Sequence, residues 1–142
     1  MASQGDKIQK VRSARMKIYK MKDLFRLTET GEIDVNRSKE IVRQLAAAAA
    51  FHVDHNILLD LRETAIKEES MKDILEVALE IARYKAAFKG KLANLLPGDE
   101  KRLSMAKQLK NLMLIEGFQY EIFTSFEEAV DWLSDITVLP QP

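Results

Sequence analysis

The stretch Asn56-Ile57-Leu58-Leu59-Asp60-Leu61 decides the fold. A nearly continuous apolar run of strand length is expected where a strand is covered on both faces, as the central strand of a parallel sheet is. Downstream, helices and strands alternate. After a polar loop, Arg62 to Glu69, a long helix is expected over about Met71 to Phe88, with Ile74, Leu75, Ala78, Ile81 and Ala82 on one stripe and Gly90 ending it. Lys91 to Leu96 reads as the next strand and Pro97-Gly98 as the next break. Asp99 then caps a helix carrying Met105, Ala106, Leu109, Leu112 and Met113, which Gly117 closes. Tyr120 to Phe123 is a last strand and Phe126 to Leu133 a final short helix.

Upstream, residues 1–12 are polar and read as a flexible N-terminal segment, leaving 13–142 as a single domain. Arg15-Met16-Lys17-Ile18 alternates polar and apolar, and Leu24-Phe25-Arg26-Leu27 restarts the pattern, so two short antiparallel strands are expected with Lys22-Asp23 as their turn. Thr30-Gly31-Glu32 breaks the chain before Asp34 and Asn36, either of which can cap a helix running to about Ala50. Ile41, Val42, Leu45 and Phe51 supply its apolar face, and Ala46 to Ala50 a smooth surface for close packing. The order is β-β-α-β-α-β-α-β-α. It defines an α/β fold: a single mixed, mostly parallel sheet flanked by about four helices.

Composition bounds the function. The chain has 142 residues, 46% of them hydrophobic, with only 5 Gly and 3 Pro, which excludes collagen-like and wholly disordered classes. The absence of Cys removes disulfides, thiolate metal sites and thiol nucleophiles, and makes a reducing compartment the default. With 22 basic against 22 acidic side chains the net charge is zero, so neither nucleic acid nor an anionic membrane is an expected partner. The longest apolar run, Leu45 to Phe51, is far short of the ~20 residues needed to span a bilayer, and Met1 to Lys10 is too polar for a secretory signal. A cytoplasmic protein without an integral membrane segment is expected.

No catalytic motif is present. The sequence has no G-x-G-x-x-G, no G-x-x-x-x-G-K-[ST] and no G-x-S-x-G elbow. His52 and His55, the only histidines, flank Asp54 in an incomplete metal shell and read as part of a solvated loop. A phosphoreceiver domain would place an acidic cluster after its first strand, where Leu27-Thr28 stands instead. No catalytic residue, metal or cofactor is therefore expected. Asp60, a carboxylate inside an apolar strand, must be hydrogen-bonded or lie at the strand's wet end, as a structural acceptor or as a group at the sheet's carboxyl edge, where open α/β folds bind ligands. Ser70 followed by Asp73 fits a capping box, and Ser125 followed by Glu128 repeats it. The first 22 residues hold Lys7, Lys10, Arg12, Arg15, Lys17, Lys20 and Lys22 against Asp6 alone, either a solvated tail with a protected edge strand or a docking patch for an acidic partner.

The strand Asn56 to Leu61, the helix ending Arg83-Tyr84-Lys85, the strand Lys91 to Leu96 and the closing segment Phe123-Thr124-Ser125-Phe126-Glu127-Glu128-Ala129-Val130-Asp131-Trp132-Leu133 together resemble the SpoIIAA-like branch of the STAS superfamily, over about residues 15–134. The resemblance implies a non-enzymatic regulatory module that binds a protein partner or, as in related lipid-carrier folds, an apolar ligand. In the anti-sigma-factor antagonists of this family an Asp-Ser-Ser-Gly segment carries a phosphorylated serine; the matching stretch here is Glu68-Glu69-Ser70-Met71, without the glycine. The resemblance leaves two functional readings. In the first, the chain contacts a protein through Arg62, Glu69, Ser70 and Met71, with a second copy of the chain among the candidate partners. In the second, it carries an apolar or acyl small ligand between a helix and the sheet, using adaptable side chains such as Met71, Met105 and Met113.

Overall fold

The computed structural model describes residues 16–52, 54–67 and 70–139. The segment 1–12, the basic residues Lys7, Lys10, Arg12 and Arg15, and Glu68 and Glu69 lie outside the described residues. In chain order the elements are β1 (Met16–Met21), β2 (Leu24–Ile33), α1 (Val35–Ala49), β3 (Asn56–Ile66), α2 (Met71–Arg83), β4 (Lys91–Leu95), α3 (Glu100–Ile115), β5 (Gln119–Phe123), α4 (Phe126–Leu133) and β6 (Ser134–Leu139).

Strands β2, β3, β4 and β5 pair in sequence order, every pair parallel. Each connection between them holds one helix, and because such crossovers are right-handed, a sheet that advances in one direction carries α1, α2 and α3 on the same face. That face holds the main core. Ile57 and Leu59 of β3 and Leu92 of β4 meet Ile41 and Leu45 of α1, Val77 and Ile81 of α2, and Met113 of α3. Among the described helices α4 alone covers the opposite face, through a second cluster of Leu58, Ala93, Leu95, Ala129 and Leu133, with Leu24, Phe123 and Trp132 at its margin.

The α/β class, the mostly parallel sheet and the four helices agree with the sequence reading, and five details do not. Phe51, expected on the apolar face of α1, lies beyond the end of that helix and is exposed. The antiparallel hairpin expected across Lys22-Asp23 does not form: β1 pairs antiparallel with β6, from Met16↔Leu139 to Met21↔Ser134, as a separate two-stranded ribbon. Lys22-Asp23 has none of the glycine or asparagine that a tight two-residue hairpin turn requires, so the link serves as a crossing between two sheets. The expected loop Arg62 to Glu69 is largely strand, because β3 runs on to Ile66 and pairs Glu63 to Ile66 with Thr30 to Ile33. Helix α2 stops at Arg83, where the sequence reading carried it to Phe88. Finally, Leu75 is not part of the buried stripe: Ile74, Val77, Ala78 and Ile81 are buried at the spacing of a core-facing helix, and Leu75 lies one residue off that line.

The expected caps are in place. Asp34 accepts from Arg37 N at 2.8 Å, Asp99 from Lys101 N at 3.2 Å and Ser125 from Glu128 N at 3.3 Å. Gly117, with φ +88°, turns the chain out of α3 in a conformation that side chains disfavour. At the sheet's amino end the buried Asn56 ties three segments together. Its Nδ2 donates to Leu133 O at the end of α4 (3.2 Å), its Oδ1 accepts from Lys91 N at the start of β4 (2.9 Å), and its backbone N donates to Asp23 O ahead of β2 (3.1 Å).

Candidate functional site

The parallel register sets Arg26 beside Leu58 and Thr28 beside Asp60, and thereby places Arg26 and Asp60 on the α4 side of the sheet at its carboxyl edge. A bulge interrupts the pairing next: Thr28 pairs with Asp60 but Thr30 with Glu63, so β3 has one residue more than β2 over this interval. The bulge brings Arg62 back over Asp60. The Asp60 side chain, only 5% exposed, accepts from Arg26 Nη2 at 3.0 Å, from Arg62 Nε and Nη2 at 3.0 and 2.9 Å, and from Arg62 N at 3.2 Å. The Arg62 hydrogen bonds, with help from Arg26, overcome desolvation and hold the Asp60 carboxyl down at about 2. Both guanidinium groups also lie over the ring of Phe126 at the start of α4, 5.2 and 5.8 Å from its centroid. A carboxylate so fully occupied serves as a structural acceptor and not as a base near neutral pH.

Ser70, Met71 and the start of α2 lie across the sheet from Arg62, because α2 packs on the α1–α3 side. Thus Arg62 and Met71 do not converge, and Glu69 lies outside the described residues. Ser70 forms the capping box: its Oγ accepts from Asp73 N and its N donates to Asp73 Oδ2, both at 3.2 Å. Ser70→Ala is expected to cost about 1 kcal/mol, within the ~0.5–2 kcal/mol range for lost caps, readable as a shift in urea midpoint at constant slope. A loss below ~0.3 kcal/mol would show the cap to be dispensable. Beyond the cap, Met71, Leu75 and Leu79 are exposed to 53%, 44% and 66%. At four-residue spacing they form one apolar row on the outside of the helix layer. Two ion pairs fix the helix beneath that row: Arg43 of α1 with the buried Glu80 at 3.1 Å, and Lys39 with Glu76 at 3.4 Å.

Between the three helices and the sheet is an incompletely enclosed apolar cavity of about 110 Å³. Met105 lines it, Met113 is fully buried in the adjoining core, and Met71 is on the outer surface away from it. Arg102, also on its wall, donates to Thr64 O at 3.1 Å and Thr64 Oγ1 at 2.8 Å, tying the first turn of α3 to β3 just beyond the bulge.

The histidines pack around Phe25, with ring centroids 5.5 Å (His52) and 5.0 Å (His55) away, and His55 Nε2 is 3.7 Å from Asp23. Among the described residues no group of three or more His, Asp or Glu is placed to hold a metal ion. None of the described helices is long and apolar enough to cross a membrane.

Arg26, Phe126, Leu75 and Leu79 did not emerge from the sequence as site residues. The last two were discernible in principle: Met71, Leu75 and Leu79 recur every four residues beside a core stripe already complete with Ile74, Val77, Ala78 and Ile81. Arg26 and Phe126 gave no local signal, since only the parallel register and the bulge bring them together.

No protein-family model and no curated protein matches the chain. Among solved structures, the chain is similar to the crystal structure of an uncharacterized protein from the DUF3478 family with a SpoIIAA-like fold, from Shewanella loihica PV-4. The match has 13% sequence identity and a TM-score of 0.49, and covers 85% of this chain and 96% of that one.

Proposed function

We propose that the chain is a non-enzymatic regulatory module of the cytoplasm that contacts a protein partner through the start and outer face of α2. The observation that carries this reading is the exposed row Met71, Leu75 and Leu79, which begins directly after the Ser70 cap. Large apolar side chains grouped on a helix exterior mark a contact face more than scattered ones do. Three such side chains are a small anchor beside the ~1,200–2,000 Å² that stable complexes bury, so the contact is of the transient, regulatory kind. Ser70 and Met71 belong to this face, and Glu69 precedes them in the sequence. Arg62 has another role here, since Asp60 and Phe126 hold it on the far side of the sheet.

Replacing Leu75 and Leu79 together with Glu is expected to leave stability within about 1 kcal/mol of the parent, since exposed substitutions cost little. The same double variant should lose the partners that the parent retains in parallel pull-downs from native lysate. Sedimentation of the purified chain separates a second copy of itself from a foreign partner. If the variant retains every partner at parental yield, this face is not the contact surface.

A further inference from the structure

We propose that the cavity between the helix layer and the sheet binds a small neutral molecule that is apolar except for one hydroxyl, a compact alcohol or a phenol, held by Asn94 and Tyr120. This inference does not rest on the contact surface of α2, although Ile74, Val77 and Ile81 on the inner side of that helix line the same space.

Asn94 of β4 is 7% exposed and points to the helix side of the sheet. Its Nδ2 donates to Tyr120 Oη at 2.8 Å, but its buried Oδ1 has no hydrogen-bond partner among the described residues. Buried acceptors are nearly always satisfied, and leaving one unmade is unfavourable, so an orphaned amide oxygen on a residue that lines the cavity calls for a donor. The Tyr120 oxygen already accepts from Asn94, so its own O–H is free to donate. Burial pushes this phenol up to about 12, which keeps that proton in place throughout the physiological range. An acceptor and a donor side by side match a hydroxyl, which both gives and takes a hydrogen bond. The match survives reversal of the amide, because a hydroxyl can equally accept from an Asn94 N–H.

The remainder of the wall fixes the body of the ligand. Apart from Ser38 and Arg102 it is made of aliphatic and aromatic side chains, among them Leu45, Leu59, Ile81, Phe88 and Leu109. One water needs roughly 10–15 Å³ of such space, so a single water on Asn94 would leave most of the 110 Å³ empty. An apolar cavity of roughly 150 Å³ accepts benzene. A body of about five to seven non-hydrogen atoms is therefore the size class that fills this space.

The test titrates the full chain with phenol, benzene and benzoate, followed by amide and methyl NMR shifts. Phenol is expected to shift the Asn94 side-chain amide and the methyl groups of Ile81 and Met105, and to bind about tenfold more tightly than benzene, the value of one to two net hydrogen bonds. Asn94→Leu should keep benzene binding and reduce the advantage of phenol to less than about threefold. Should Asn94→Leu fail to fold, Tyr120→Phe, which removes only the O–H, must still weaken phenol relative to benzene. Equal binding of benzene and phenol by the parent would reduce the site to an apolar void and overturn the proposal. Tightest binding of benzoate would overturn it in favour of a site read by Arg102, and the absence of shifts with all three probes would overturn it outright.

Discussion

Gly90→Ala is expected to destabilise the protein by about 3 kcal/mol and to lower Tm by roughly 10 °C, as read by calorimetry and urea unfolding. A Cβ at this position would lie 2.4 Å from the His55 carbonyl oxygen and 2.9 Å from Asn56 Oδ1. The first of these atoms is backbone at the entrance to β3 and cannot swing away. The second accepts from Lys91 N, so moving it breaks the bond that starts β4 and disturbs the other side-chain bond, to Leu133 O. Overpacking alone costs about 1–3 kcal/mol, and each hydrogen bond lost adds about 1 kcal/mol. Asn56→Ala should do comparable damage, and the double variant should be less harmful than the sum, because both disrupt the same joint. A Gly90→Ala protein within 1 kcal/mol of the parent would show that the His55 segment yields more easily than its packing implies.

The second large effect concerns acid. Asp60 has its folded carboxyl lowered from 3.8 to about 2 by Arg62 and Arg26, so its contribution is complete above pH 4 and is lost as pH falls toward 2. At about 1.4 kcal/mol per unit this contribution is roughly 2 kcal/mol. Asp60→Asn should therefore lose about 2 kcal/mol at neutral pH, and somewhat more because two guanidinium groups then face each other without a carboxylate between them. The gap between parent and variant should narrow below pH 4 and close only as pH falls through about 2. Glu29 and Asp131 are also lowered, by Arg37 and by Tyr19 with Lys17, but they titrate alike in both proteins and cancel in the difference. A stability gap that stays constant from pH 7 to pH 2 would show that Asp60 is not the group being protonated.

Both effects depend on residues with very different visibility in the sequence. The strand over Asn56 to Leu61 stood out because burial on two faces leaves no polar alternation, and every helix start was marked by Asp34, Ser70, Asp99 or Ser125. The extension of β3 to Ile66 was hidden because Arg62 and Glu63 are consecutive charged residues, which read as loop until the bulge explains them. Strand β6 was missed because Ser134-Asp-Ile-Thr-Val-Leu139 follows a helix without a break and takes its partner from the far end of the chain. Of the expected contact residues, Ser70 and Met71 were placed by a local capping pattern, whereas the partners of Arg62 depend on register, which single residues do not encode. The cavity was outside the reach of the sequence, since Asn94 reads there only as a polar residue in an otherwise apolar strand.

The ribbon of β1 and β6 carries one more consequence, for synthesis on the ribosome. Of the described strands, β1 is made first and paired last: from Met21 to its partner Ser134 the chain grows by 113 residues. At about 5–20 residues per second that is roughly 6–23 s during which Met16, Ile18, Tyr19 and Met21 have no strand to lie against. The parallel sheet, by contrast, adds each strand beside the one before it and can grow as the chain emerges. The nascent protein thus passes through a stage in which β2 to β5 can already be assembled while its first strand stays open to chaperones, and arrival of β6 ends that stage.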